Sequence, residues 1–151
     1  FYETPENLIL FFKKNQSKKF HNRINNKINF NKFKKKVSSN KKKINKVINN
    51  FKDKKIVFWG AGGFAFAAIY LYKIKISQMS KFIDKDEKKQ NLFFYDKKIR
   101  IGPIESLKKI KPDLIVITSY YSSLIIPEIK KLKIKLKILT LFPEIKLSQI
   151  L

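Results

Sequence analysis

Lys55-Ile56-Val57-Phe58-Trp59-Gly60-Ala61-Gly62-Gly63-Phe64-Ala65 is an apolar run that breaks into glycines and then into a helical pattern. Three of the chain's four glycines fall in it, at 60, 62 and 63. Glycine permits tight turns and lets a backbone approach a ligand with no Cβ in the way. Ile56 to Trp59 is too short for a helix, is bounded by glycine and is apolar on both faces, which suits a strand buried in a parallel sheet. A helix is expected from Ala65 to about Ile74. Gly60-x-Gly62-x-x-Ala65 therefore has the form of the G-x-G-x-x-G/A turn of a dinucleotide-type βαβ unit, in the strand-then-helix context that the motif requires.

Downstream of the turn, Phe66, Ile69, Tyr70 and Ile74 fall at helical spacing and are expected to face the core. Met79 to Asp84 reads as a second strand ending in a carboxylate. Asp84 lies 19 residues beyond Ala65, near the spacing of roughly 20 at which such units place an acid on a ribose hydroxyl. The same residue could instead cap the turn Asp84-Lys85-Asp86-Glu87. Leu92–Tyr95 and Ile99–Ile101 predict a small hairpin across Asp96-Lys97-Lys98, stopped by Gly102-Pro103, and a short helix follows to Ile110.

Pro112 closes that helix before the strand Leu114 to Thr118, again apolar on both faces and followed by Ser119-Tyr120-Tyr121-Ser122-Ser123. Ligands of open α/β sheets sit at the carboxyl ends of strands where the strand order reverses. If this strand neighbours Ile56–Trp59, Ser119, Tyr120 and Tyr121 flank the same crevice as Gly60, Ala61, Gly62 and Gly63. The alternative is capping of the next helix by Ser122 or Ser123, with surface aromatics beside it. That helix is expected over Leu124 to Leu132, with Pro127 tolerable only near its first turn. Lys133 to Leu139 alternates lysine with Ile or Leu, as a half-exposed strand near a sheet edge does, and Leu141-Phe142-Pro143 is expected to end the domain.

Upstream, Phe33, Val37, Ile44, Val47, Ile48 and Phe51 predict an amphipathic helix of about five turns, lying along the following domain or bridging to a preceding one. Residues 15–32 read as a linker, in which His21, the chain's one histidine, is expected to be solvated. Thr4-Pro5-Glu6-Asn7 has the form of a helix start. The fold expected is α/β: a Rossmann-like three-layer αβα sandwich with a mostly parallel sheet over 53–151, preceded by a basic helical arm over 1–52.

With 151 residues and 44% hydrophobic composition, the chain can build a folded core. Cysteine is absent, which excludes disulfides and thiolate metal sites. No run approaches the ~20 apolar residues of a membrane span, and no signal peptide is legible. These features favour a cytoplasmic protein. The chain starts at Phe1 and is expected to be a C-terminal piece of a longer or processed protein.

The formal charge is +24, which raises a nucleic-acid partner. Yet only Arg23 and Arg100 are arginines. The other basic residues are lysines, accompanied by abundant Ile, Asn and Phe, the set that AT-rich codons deliver. Residues 1–55 hold 17 Lys/Arg against 3 Asp/Glu, and residues 56–151 hold 18 against 8. The arm is the more basic part, and nucleic acid is not the favoured partner.

Taken together, residues 33–143 resemble the C-terminal Rossmann-like domain that follows the catalytic domain of S-adenosylmethionine-dependent methyltransferases of the sugar C-methyltransferase type. The carriers are Phe33…Val37…Lys43-Ile44 leading to Lys55-Ile56-Val57-Phe58-Trp59-Gly60-Ala61-Gly62, then Phe82-Ile83-Asp84-Lys85-Asp86 with Lys89-Gln90. Ile99-Arg100-Ile101, Ile104-Glu105-Ser106-Leu107 and Lys111-Pro112-Asp113-Leu114-Ile115-Val116-Ile117 follow in the same order and spacing. Glu3-Thr4-Pro5-Glu6-Asn7-Leu8 also resembles the end of such a catalytic domain.

The resemblance implies a domain that holds a nucleotide-linked sugar or similar small molecule while methyl transfer occurs upstream. S-adenosylmethionine would then belong to the upstream catalytic domain, and no cofactor, catalytic residue or metal ligand is assigned to this chain. The chain departs from the family at Phe64-Ala65-Phe66, where a lysine is frequent, and at Tyr120-Tyr121, where Trp-Asn is frequent. Similar domains precede sugar acyltransferases and polysaccharide epimerases. A nicotinamide-dependent oxidoreductase is a further alternative, though neither Tyr120 nor Tyr121 has a lysine four residues on.

Overall fold

The computed structural model describes residues 30–94 and 99–150. The helix expected from Thr4, the expected 15–32 linker up to residue 29 with His21, and the hairpin tip at 95–98 lie outside the described residues; residues 30–32 of that linker are helical instead. The described residues from Asn31 onward form one compact unit.

Its centre is the strand that precedes the glycines. Ile56–Trp59 (β1) is buried along its whole length and pairs in parallel with Lys81–Ile83 (β2) on one side and Leu114–Ile117 (β5) on the other. Outside β2 lie Ile99–Gly102 (β4), parallel to it, and Phe93–Phe94 (β3), antiparallel to β4. Beyond β5 come Leu136–Thr140 (β6), parallel, and Lys146–Ile150 (β7), antiparallel. The order is β3-β4-β2-β1-β5-β6-β7.

Alternation along each strand divides the core in two. Ile56, Phe58, Phe82, Leu114 and Val116 pack on one face, under Phe30–Asn49 (α1) and Gly63–Tyr72 (α2). Val57, Trp59, Ile83, Ile115 and Ile117 pack on the other, under Ser106–Ile110 (α3) and Ser122–Lys131 (α4). Helices on both faces of a mostly parallel sheet make the Rossmann-like three-layer sandwich that the sequence predicts.

The helix expected as an arm packs into this core through its last turns. Ile44 and Ile48 are fully buried and Phe51 nearly so. Asn45 donates its side-chain N–H to Tyr72 O at 2.7 Å, fastening α1 to the end of α2. The first turns are exposed at Phe30 and Phe33.

Several local expectations are corrected. In α2 the core face is Ala65, Ala68, Ile69 and Tyr72, whereas Phe66 and Tyr70 are exposed. Small alanines let the helix sit close on the sheet, while the Phe66 ring turns outward to lie 4.5 Å from that of Phe94. Ile74 is buried but lies past the helix, which ends at Lys73 in a left-handed conformation.

Helix α4 begins at Ser122, so Pro127 sits in its interior, where it has no N–H for the carbonyl one turn back. Neither Ser122 nor Ser123 caps the helix; Tyr121 is the capping position, and no side chain bonds there. The domain does not end at Pro143, because β7 adds an edge strand along β6. β6 itself is mostly buried, since β7 takes the edge.

Candidate functional site

From β1 the chain passes to β2 and then outward to β4, and it returns to β1's other side as β5. The order therefore reverses between β1 and β5. Their carboxyl ends carry the β1–α2 turn and the β5–α4 turn, and these flank a cavity of about 420 Å³. Gly60, Gly62, Gly63, Asp84, Ser119 and Tyr121, six of the eight residues singled out by sequence, line it. Ala61 and Tyr120 do not.

Gly60 is the point at which the turn is fixed. Its φ of +104° is one that side chains rarely adopt, and a Cβ there would meet Thr118 Oγ1 at 3.1 Å and Ser119 N at 3.3 Å. Its N–H donates to Ile83 O at 2.9 Å. Thr118, fully buried at the end of β5, brings its hydroxyl within 2.8 Å of Trp59 O and 2.7 Å of Gly60 O and donates there. The crowding that forbids a side chain at Gly60 is thus the same contact that ties β5 to the turn.

Ala61 is committed as well. It is buried, and its N–H donates to Asp84 Oδ2 at 2.8 Å. The other oxygen of Asp84 accepts the Asp86 N–H at 3.0 Å, so Asp84 caps its own turn. Lys89 Nζ lies 3.3 Å from Oδ2, and Gln90 donates to the Asp84 carbonyl at 3.2 Å. A nearly buried carboxylate with these donors holds the glycine turn against the end of β2.

The second half of the turn is different. Gly62 caps α2 without a side-chain bond, and the first turn has no acidic residue. Ala65 and Phe66 donate to Gly62 O. That leaves the N–H groups of Gly62, Gly63 and Phe64 with no acceptor among the described residues. A Cβ at Gly62 or Gly63 would meet nothing within 4 Å. Donors at a helix N-terminus with open space before them favour an anion, because the N–H groups and the helix dipole act together.

Opposite this end, the β5–α4 segment supplies an apolar wall of Tyr121, Leu124 and Ile125. Ser119 Oγ accepts the Tyr121 N–H at 3.2 Å and so shapes this turn. The Tyr120 ring packs toward Phe64 at 6.2 Å between centroids, with Phe142 on that ring at 5.0 Å. Tyr120 supports the aromatic side of the crevice from outside it.

Along the third side Lys85 Nζ pairs with Glu128 Oε1 at 2.6 Å, joining the β2 loop to α4. Lys89 pairs with Asp84 and, at 3.7 Å, with Asp86. Sequence reasoning assigned no site role to Thr118, Phe64, Lys85, Lys89 or Glu128. Thr118 and Phe64 adjoin residues it did name. Glu128 lies 43 positions from Lys85, and only the sheet order brings the two together.

Among the described residues no helix is long and apolar enough to cross a membrane. No curated protein gives a significant match to the chain. Among solved structures it is similar to UDP-D-quinovosamine 4-dehydrogenase from Vibrio fischeri, with 21% identity, over 65% of this chain and 93% of that one, at a TM-score of 0.46. The family model of the C-methyltransferase C-terminal domain matches residues 12–133, a span that includes β1 to β5, α1 to α4 and every residue lining the crevice. The chain belongs to the family of C-methyltransferase C-terminal domains.

Proposed function

We propose that this chain is the non-catalytic substrate-binding domain of an S-adenosylmethionine-dependent methyltransferase and holds a nucleotide-linked sugar for a catalytic domain upstream. The observation that carries this reading is the α2 N-terminus, where Gly62, Gly63 and Phe64 present unpartnered N–H groups to a cavity at the reversal of strand order. A diphosphate is the anion that fits such an end. Tyr121, Leu124 and Ile125 offer an apolar surface to the remainder of the ligand, and the cavity volume is within the range of small-molecule sites.

In this reading Asp84 acts by fixing the turn through Ala61 rather than by binding ribose, and Tyr120 acts by supporting Phe64. Methyl transfer and S-adenosylmethionine belong to the upstream domain, and this chain is assigned no catalytic residue. A cytoplasmic location is part of the same reading.

Isothermal titration of the folded chain against UDP-, dTDP- and GDP-linked sugars tests it, with the free sugars and NADH beside them. Saturable binding of at least one nucleotide-sugar, and none of the free sugars, is expected. Binding of NADH alone would favour the oxidoreductase alternative and overturn the proposal, as would absence of all binding.

A further inference from the structure

We propose that a second cavity, sharing no lining residue with the crevice, binds a phosphate-type oxyanion. It has a volume of about 490 Å³ and is lined by Lys55, Ser80, Lys81, Ser106, Lys109 and Ile110. Lys55 directly precedes β1 and Lys81 opens β2, while Ser106 and Lys109 stand on α3. The lining thus has three lysines, two hydroxyls and no carboxylate.

Lysines are common in this chain, and few of those described are ion-paired, so neither their presence nor their lack of a carboxylate decides by itself. Convergence on one point does. Both lysines of the crevice are bound to carboxylates, whereas none of Lys55, Lys81 and Lys109 is ion-paired among the described residues. Like charges brought to one concavity repel, and an anion between them removes that repulsion. Lysine serves phosphate as a point charge, and serine hydroxyls add donors.

Lys81 is also placed by the fold. Its backbone is fixed by pairing with Val57 in β1, and the residue is half-buried. Its side chain runs over Gly102 at the end of β4. A Cβ at Gly102 would lie 2.7 Å from Lys81 Cε, 3.2 Å from Lys81 Nζ and 2.9 Å from Ser106 Oγ. The ammonium of Lys81 and the hydroxyl of Ser106 therefore converge on one point, which glycine leaves open. Gly102 has no positive φ to require it, so space for Lys81 is the physical reason on hand for a glycine there.

The test is a titration of the full chain with inorganic pyrophosphate, and in parallel with glucose 1-phosphate, followed by the backbone amide NMR signals of Lys81 and Ser106. Saturable shifts with the first alone identify a free anion, and with both a phosphate group whatever its ester; either supports the site. Lys81→Met is expected to raise the Kd read at Ser106 at least ten-fold. Gly102→Ala, which displaces the Lys81 ammonium without removing charge, should raise it several-fold.

Lys130→Met, on the exposed side of α4, removes the same charge elsewhere and should leave the Kd within two-fold. Equal loss in Lys130→Met and Lys81→Met would show diffuse attraction to a basic chain and overturn the proposal. Unchanged affinity in Lys81→Met, or no shift at Lys81 and Ser106 with either ligand, would overturn it as well. Lys81→Met keeps the test valid if Gly102→Ala fails to fold.

Discussion

The two halves of the glycine turn, Gly60-Ala61 and Gly62-Gly63-Phe64, are adjacent in sequence and opposite in their physical state. In the first half the fold uses every N–H: Gly60 bonds to Ile83 and Ala61 to Asp84, with Thr118 closing on the Gly60 carbonyl. In the second half the N–H groups have no acceptor among the described residues, and a Cβ at Gly62 or Gly63 would touch nothing. One short loop thus contains glycine demanded by the protein and glycine that its own packing does not demand. The difference separates what holds the crevice in shape from what is left for a ligand.

The largest test of the contrast is Gly60→Ala. A side chain at φ +104° within 3.1 Å of Thr118 Oγ1 should cost about 3 kcal/mol of stability, combining backbone strain with crowding, read from urea unfolding. A loss below about 1 kcal/mol would mean that the turn relaxes freely and that its first half is no anchor.

Next in size is Asp84→Ala, which leaves the buried Ala61 N–H without its acceptor. About 2 kcal/mol should be lost by the same measurement, together with nucleotide-sugar affinity, because the turn loses its hold on β2. If Asp84 instead binds ribose, affinity falls while stability stays near that of the wild type.

Thr118→Val removes the hydroxyl that joins β5 to Gly60 and Trp59, and about 1 kcal/mol is expected to go.

Gly63→Ala is the smallest and the most discriminating. Its Cβ enters open space at the first position of α2, so stability should hold or rise by about 0.5 kcal/mol, while binding of a nucleotide-sugar weakens. Destabilisation there would show that the two halves of the turn do not differ.

Much of this was legible in the sequence. The burial of β1 on both faces follows from four apolar residues ahead of glycine, and the neighbouring β5 has the same signature. The Gly60 turn was legible because so few glycines occur elsewhere. The face of α2 was not, since Phe66 and Tyr70 are as hydrophobic as the residues that are buried. Ala65 and Ala68 are the fully buried pair; which face a helix turns to the sheet depends on what packs there, not on any one residue's hydrophobicity.

The role of Asp84 was open for a similar reason: a carboxylate at the end of β2 serves equally to cap its own turn or to meet a ribose. The Ala61 N–H at 2.8 Å identifies the partner it has. Lys85 and Glu128 could not be joined in advance, because their 2.6 Å contact depends on α4 lying beside the β2 loop. Strand β7 was missed because its alternation, Lys146-Leu147-Ser148-Gln149-Ile150, is short and mostly exposed, as an edge strand is.

The most direct test of the crevice as a nucleotide-sugar site is a titration of the folded chain with UDP, dTDP and GDP in turn, following backbone amide signals by NMR. The signals of Gly62, Gly63 and Phe64 should move downfield and saturate with at least one of the three, while those of Gly60 and Ala61, already bonded within the fold, move little. If none of the three nucleotides shifts the Gly62, Gly63 and Phe64 signals, the crevice does not hold a diphosphate and the account fails.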